Sequence, residues 1–72
     1  MKISFPELKE VYKEARAIYD SSVSWEAKYD LIFSERISKK VSFSWYDPDT
    51  SYREDVTAFM NAFDDYMGET PK

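Results

Sequence analysis

The chain has 72 residues, thirteen aromatic side chains, a net charge of −4, and no Cys or His. Its length suits one small domain, residues 1–72, near the lower limit for a self-sufficient core. Without Cys or His there is no disulfide, no thiolate or imidazole metal site and no His general base, so we expect no enzyme, no metal site and no cofactor.

The first predicted element is an amphipathic helix from about residue 5 to about residue 20. Its apolar residues alternate in spacings of three and four, the helical period. They are Leu8, Val11, Tyr12, Ala15, Ile18 and Tyr19. Ser4 and Glu7 match a capping box with Pro6 in the first turn, and Arg16 and Asp20 are spaced as an ion pair along the helix.

Ser24 is the predicted N-cap of a second helix. The apolar face that follows is wide, which indicates burial against two neighbours. It includes Trp25, Tyr29, Ile32, Phe33 and Ile37. Arg36, Lys39 and Lys40 are expected in the last turns of this helix, where cations suit the helix dipole.

Val41–Trp45 alternates apolar and polar residues, the period of a strand, and so does Lys2–Phe5. This pattern allows a minor two-stranded β element, residues 2–5 and 41–46. The alternative is an extended connector in which Phe43 and Trp45 cap the core. Both remain open, although a pair of strands is marginal on its own, which favours the connector.

A turn over Asp47–Ser51 is predicted to precede a third helix, about Tyr52 to Met67. Ser51 and Glu54 match a second capping box, and Gly68 is predicted as the glycine that ends the helix before Pro71. The apolar positions of this helix are Tyr52, Val56, Phe59, Met60, Phe63, Tyr66 and Met67. The predicted fold is therefore mainly α, a compact three-helix domain.

The charge imbalance lies in the last quarter of the chain. Residues 1–53 are neutral, whereas residues 54–72 carry five acids against Lys72 alone. Direct nucleic-acid binding needs a basic footprint, so this distribution argues against it and favours a protein partner with a basic surface. No apolar run is long enough to span a bilayer, and residues 1–6 do not resemble a signal peptide, so we expect a cytoplasmic protein without membrane contact.

Two groups of residues are candidates for partner binding. Trp45 and Tyr46 place large rings beside acids on a turn, and such rings are enriched at binding hot spots, although Trp45 equally suits a cap on the core. Asp64 and Asp65 lie near the end of the third helix, where the dipole disfavours negative charge, so they serve either solubility or a basic partner. The candidates are Trp45, Tyr46, Asp47, Asp49, Glu54, Asp55, Asp64 and Asp65.

The acids after Trp45 also invite comparison with a calcium-binding loop. An EF-hand loop beginning at Asp47 needs Gly at its sixth position and Glu at its twelfth, and the chain has Tyr52 and Ala58 there. The glycine turn and the bidentate ligand are both missing. We therefore expect a turn and a helix cap here, and no calcium site.

Residues 24–34 (SWEAKYDLIFS) and 45–52 (WYDPDTSY) resemble small uncharacterised accessory proteins of tailed phages and prophages. The resemblance covers most of residues 20–67. It implies a phage-borne protein that engages host or phage machinery in the host cytoplasm. A looser similarity, in surface chemistry alone, is to the small acidic immunity proteins of nuclease bacteriocins, which also place an aromatic pair and a proline before a late helix.

These observations predict a phage or prophage accessory protein that acts by protein–protein binding. A narrower version is an inhibitor of a host nucleic-acid-handling or defence protein, whose basic groove the carboxylates would occupy. The alternative is a homodimeric structural or assembly protein that buries its surplus aromatic side chains against a second copy.

Overall fold

Three α-helices form the domain in a computed structural model, which describes residues 4–41 and 43–69. Helix α1 spans Phe5–Tyr19, α2 spans Trp25–Ile32 and α3 spans Tyr52–Glu69. A single turn of 3₁₀ helix, Ser38–Lys40, lies between α2 and α3. The predicted mainly α, three-helix fold is confirmed. Within the described ranges, no helix is both long and apolar enough to cross a bilayer.

A serine caps the start of each helix, as the sequence predicts. The three caps are Ser4, Ser24 and Ser51. Each hydroxyl oxygen accepts a hydrogen bond from the backbone N–H three residues further along, at 3.4, 3.2 and 3.1 Å respectively. Such a cap satisfies a backbone donor that has no partner inside the helix and typically stabilises it by about 1 kcal/mol.

The core surrounds two fully buried rings on α3, Phe59 and Phe63. Tyr12 of α1 packs edge-on against Phe63 with ring centres 5.0 Å apart, and Phe33 lies 5.4 Å from Phe59. The other buried apolar residues are Leu8, Val11, Ala15, Ile32, Ile37, Val56 and Met60. Burial of each large side chain contributes about 1.5–3 kcal/mol, so these few residues dominate the stability of so small a domain.

The contacts define the helix directions. Arg16 of α1 reaches Asp64, whereas Tyr19, one turn later, lies beside the first turns of α3, so α1 runs antiparallel to α3. Along α2, Tyr29 packs on Tyr52 while the following Phe33 packs on Phe59, so α2 runs in the same direction as α3. The starts of α2 and α3 therefore lie at one end of the domain.

Helix α2 is shorter than predicted. It ends at Ile32, and its cap residue Phe33 leaves the helical region with φ −86° and ψ 64°, so the predicted continuation to Lys40 is wrong. The hydroxyls of Ser34 and Ser38 bond backbone carbonyls three and four residues earlier, an alternative to helical bonding. Beyond the break, Ile37 is buried in the core and Phe33 lies against Phe59.

The connector between α2 and α3 covers the core without forming a strand in its described part. Residues 43–46 have no helical or strand structure, and Phe5 already belongs to α1. Ser4 and Val41 have no strand structure either, and the other residues of the predicted β element, 2, 3 and 42, lie outside the described residues. Phe43 stacks on Tyr66 at 5.3 Å and Trp45 packs edge-on against Phe59 at 4.7 Å, so the alternative, a connector whose rings cap the core, describes this segment.

Helix α3 continues past Gly68 to Glu69. The prediction that Gly68 ends the helix is wrong, because it lies within the helix and does not have a positive φ. A Cβ at this position would meet nothing within 4 Å, so no packed neighbour forces the chain to turn. Glycine in an exposed helix costs only about 1 kcal/mol relative to alanine, which the helix tolerates. Pro71 lies outside the described residues.

Replacement of Phe59 tests the core. Phe59→Ala removes the ring that α2 and the connector both contact, and we expect it to lower the free energy of unfolding by about 3–5 kcal/mol. Urea denaturation followed by circular dichroism measures the change. Leu31→Ala is the control, because Leu31 is half exposed and its loss should change stability by less than about 0.5 kcal/mol. Equal losses in the two variants would contradict this assignment of the core.

Candidate functional site

The connector just before α3 brings most of the predicted site residues together. Tyr46 is 80% exposed, the most exposed large hydrophobic side chain in the described residues. Asp47 and Asp49 follow it along the connector, Glu54 lies in the first turn of α3, and all three are exposed. We call Tyr46, Asp47, Asp49 and Glu54 the acidic edge. It combines a projecting ring with three carboxylates at the end of the domain where α2 and α3 begin.

The backbone of the acidic edge is fixed by carboxylates. Asp49 has a positive φ of 52°, a conformation that Asp and Asn adopt more readily than other non-glycine residues. Its N–H donates to Asp47 Oδ1 at 3.1 Å and to Asp55 Oδ1 at 2.9 Å. The turn predicted over residues 47–51 is therefore present, and a helix side chain holds it.

Asp55 is buried and accepts a hydrogen bond from the backbone of the acidic edge. It is only 6% exposed. Burial raises the pKa of the Asp55 carboxyl, and a hydrogen bond with the Asp47 carboxyl and the negative charge of that group raise this pKa further. The N–H of Asp49 acts in the opposite direction by donating to the ionised form. Asp55 therefore holds its proton more tightly than an ordinary aspartate and positions the loop.

A pocket of about 350 Å³ opens next to the acidic edge. Tyr29 and Tyr52 form one side of it, with ring centres 5.1 Å apart. The whole lining is Tyr29, Asp49, Thr50, Ser51, Tyr52 and Asp55. Burial raises the pKa of the Tyr29 hydroxyl, and the negative charges of the nearby aspartates raise this pKa further. The pocket therefore has a negative electrostatic potential. Aromatic faces beside carboxylates suit a cationic side chain.

Trp45 belongs to the core more than to the acidic edge. Its ring is half-buried and lies 4.7 Å from Phe59, 6.0 Å from Phe33 and 6.1 Å from Phe43. The neighbouring Tyr46 points to solvent instead. Of the two rings that the sequence presents as one pair, Tyr46 is the one that is largely exposed. A partner contact through Trp45 stays a prediction.

Asp64 is not a free acid at the end of α3. Its carboxylate accepts a hydrogen bond from the Tyr12 hydroxyl and pairs with Arg16 Nη1 at 3.2 Å. The bond to Asp64 is the main reason that the pKa of Tyr12 is raised. Arg16 also forms the predicted pair with Asp20, at 3.5 Å. Asp64 therefore ties α3 to α1, and a partner contact through Asp64 stays a prediction.

Asp65 differs from Asp64 in both exposure and pairing. It is exposed, and no ion pair involves it in the part of the chain that the structure describes. Adjacent helix residues point about 100° apart, so only one of the two acids can face α1. Asp65 lies well along α3 from the acidic edge, and the structure does not bring it together with Tyr46.

A second, larger groove lies on the other side of Ser51 and was missed by sequence reasoning, which assigned Trp25 to the core face of α2. Its volume is about 710 Å³, and we call it the Trp25 groove. It is lined by Tyr19, Trp25, Pro48, Ser51, Arg53, Glu54, Thr57, Ala58 and Asn61.

Neither surface resembles a metal centre. Among residues 4–41 and 43–69, no three acidic side chains are grouped so that they could hold a metal ion. Comparisons of the chain with protein-family models, with curated proteins and with solved structures find no match. The functional assignment therefore rests on the chemistry of these surfaces.

The raised pKa of Asp55 predicts a pH dependence of stability. Because the folded state holds this proton more tightly than the unfolded state, its contribution to stability grows as pH falls from neutrality toward the ordinary aspartate value of 3.8. The contribution is lost as pH rises through the folded-state pKa. Thermal unfolding across this range should show the slope in the wild type and a weaker slope in Asp55→Asn. Asp65→Asn is the control, and a variant slope equal to that of the wild type would contradict the assignment.

The two adjacent acids of α3 should behave differently when each is neutralised. Asp64→Asn removes the charge that binds Arg16, and we expect a loss of about 1 kcal/mol in unfolding free energy, because the pair is partly exposed. Asp65→Asn should leave stability unchanged. Urea denaturation of both variants gives the comparison. If Asp65→Asn destabilises the domain as much as Asp64→Asn, the tie to α1 does not stabilise the fold.

Proposed function

We propose that this protein is a protein-binding module whose acidic edge and adjoining pocket receive basic side chains of a partner. The observation that carries the proposal is the 80% exposure of Tyr46 on a loop whose backbone is fixed by hydrogen bonds. A large ring held in water gains strongly from burial against a partner. A loop that is already ordered loses little conformational entropy on binding.

The electrostatics of the acidic edge select the class of partner. Asp47, Asp49 and Glu54 follow Tyr46 closely in the chain and are exposed, and the pocket between Tyr29 and Tyr52 is large enough for the end of a lysine or arginine side chain. Such a cation would gain both carboxylate and ring contacts. The chain as a whole carries −4, which steers it toward positive surfaces and away from nucleic acid.

The biological setting follows from the resemblance to phage and prophage accessory proteins. In that setting the protein acts in the host cytoplasm, and the narrower proposal is inhibition of a host protein that handles nucleic acids or provides defence. The internal engagement of Asp55 and Asp64 leaves fewer exposed carboxylates than the sequence alone suggests. This supports occupation of a local basic site, and it weakens the case for mimicry of an extended phosphate backbone.

A homodimeric structural or assembly role is the alternative. Leu31 and Tyr52 are about half exposed, which gives a second copy apolar surface to cover. Light scattering at two protein concentrations separates the two proposals. A mass that doubles with concentration supports the structural role, whereas a constant monomer mass supports the binding module.

Substitution of Tyr46 tests the proposal directly. Tyr46→Ala should reduce capture of basic proteins from bacterial lysate by roughly tenfold or more, because exposed tyrosines serve as hot spots, and leave the fold intact. Capture by the wild type should also weaken steeply as salt rises. Phe5→Ala is the matched control, since Phe5 is also an exposed ring but lies at the first residue of α1, outside the acidic edge. Equal loss in both variants, or none in Tyr46→Ala, would refute the assignment of this edge.

A further inference from the structure

Two carboxyl groups share one hydrogen-bond donor where the connector meets α3. The N–H of Asp49 donates to Asp47 Oδ1 at 3.1 Å and to Asp55 Oδ1 at 2.9 Å, so the two acceptor oxygens lie close together. A hydrogen bond also joins the two carboxyl groups. An ionised carboxyl is only an acceptor, so this bond requires a proton on one of the two groups. The pair of Asp47 and Asp55 therefore shares a single proton when the bond is present.

No positive charge neutralises this pair within the described part of the chain. Asp55 is only 6% exposed, yet it forms no ion pair with any lysine or arginine there. Lys28 of α2 and Arg53 of α3 both lie over the Trp25 ring instead. A buried carboxylate without a cation is unfavourable, so the pair takes up a proton where a cation is missing.

The titratable groups that face Asp55 are acids and phenols. Asp47 and Asp49 face it from the connector, and their negative charges disfavour its ionised form. Tyr29 faces it from α2, and Tyr52 of α3 lines the same pocket. Only the N–H of Asp49 stabilises the ionised carboxyl from within the domain. A cation that compensates this charge has to come from another molecule.

The pocket beside the acidic edge gives such a cation access to the pair. Asp55 lines this pocket of about 350 Å³ together with Tyr29 and Tyr52. An ammonium or guanidinium group placed there gains aromatic contact and stabilises the ionised form of the carboxyl. A proton on the carboxyl removes the same attraction. The proton and the basic side chain are therefore competing ligands of one group, and each weakens the binding of the other.

We propose that the carboxyl pair of Asp47 and Asp55 releases its shared proton when a basic side chain of a partner enters this pocket, so that the partner binds more weakly in acid. The proton passes to water or buffer, and no covalent bond changes within the protein. This inference rests on the proposed function, because it requires a basic side chain in the pocket. It adds a regulation of that binding, in which a fall in pH releases the partner.

Linkage sets the direction and the range of the effect. In the free protein, burial and the neighbouring acids raise the pKa of Asp55 above its ordinary value of 3.8, and a bound cation lowers this pKa again. Binding therefore tightens as pH rises through the interval between the two pKa values and is constant at higher pH. The gain in affinity equals the factor by which the bound cation weakens proton binding.

The experiment follows the partner and the proton together. The acetylated and amidated peptide Arg-Arg-Leu-Arg is titrated into the protein, because the charge of arginine does not change over the pH range used. NMR of the Asp55 carboxyl carbon gives its pKa with and without saturating peptide, and we expect the peptide to lower it. Calorimetry at about pH 5 in two buffers of different protonation enthalpy should show proton release, and binding should be weaker than at about pH 7 by roughly threefold or more.

Two variants assign the proton to its residue. Asp55→Asn imitates the protonated carboxyl, since its amide can accept from Asp49 and donate to Asp47. It should bind the peptide at about pH 7 more weakly by roughly threefold or more, and it should release no proton at about pH 5. Asp30→Asn is the matched control, because Asp30 is an exposed acid that does not line the pocket. It should weaken binding less than twofold and keep the proton release.

The outcomes separate this inference from the proposed function. If saturating peptide leaves the pKa of Asp55 unchanged, the inference is overturned while a basic partner still binds. Equal proton release in the wild type and in Asp55→Asn would assign the proton to other acids and also overturn it. If Asp55→Asn does not fold, the carboxyl NMR of the wild type decides alone. Failure of the peptide to bind at either pH overturns the inference, whereas the proposed function is judged separately by Tyr46→Ala.

Discussion

The fold depends on the contact between two aromatic rings of α3, Phe59 and Phe63, and every other segment of the domain. Helix α1 reaches Phe63 through Tyr12, and α2 reaches Phe59 through its cap residue Phe33. The connector contributes Phe43, which lies against both rings. A chain of this size cannot build several cores, so one aromatic centre has to serve all of its elements. Residues outside this aromatic centre, including those of the acidic edge, are therefore not needed to form the core.

The acidic side chains have two roles, inside the domain and on its surface, that the sequence alone does not distinguish. Asp55 and Asp64 are used inside the domain, one to hold the loop before α3 and the other to join α3 to α1. The exposed acids around Tyr46 remain available outside. Lys28 reverses this pattern, because it is a buried cation without a carboxylate partner among the described residues. The Trp25 groove and the pocket beside the acidic edge both include Ser51 in their linings.

The features that depend on residues close together in the chain were predicted correctly from the sequence. The spacing of apolar residues gave the three helices, and Ser4, Ser24 and Ser51 marked where they begin, because capping involves residues three apart. Tertiary contacts decided the rest. The early end of helix α2 at Ile32 could not be read from the spacing of apolar residues, since Phe33 and Ile37 would share one face of a continuous helix. The partner of Asp64 is far away in sequence, so its engagement could not be read from α3 alone. The Trp25 groove depends in the same way on how α1, α2 and α3 meet.

The shared direction of α2 and α3 determines how this chain must assemble. After Ile32 the backbone has to travel back along the domain before α3 can begin, and closing so long a loop costs entropy that a tight hairpin between antiparallel helices avoids. The rings of Phe43 and Trp45 offset that cost, since they pack on α3 as the connector passes it. The connector thus behaves as a fourth structural element. Helices α1 and α2 are joined by a short loop, whereas the pairing of α2 with α3 joins residues far apart in the chain and depends on the packing of the connector.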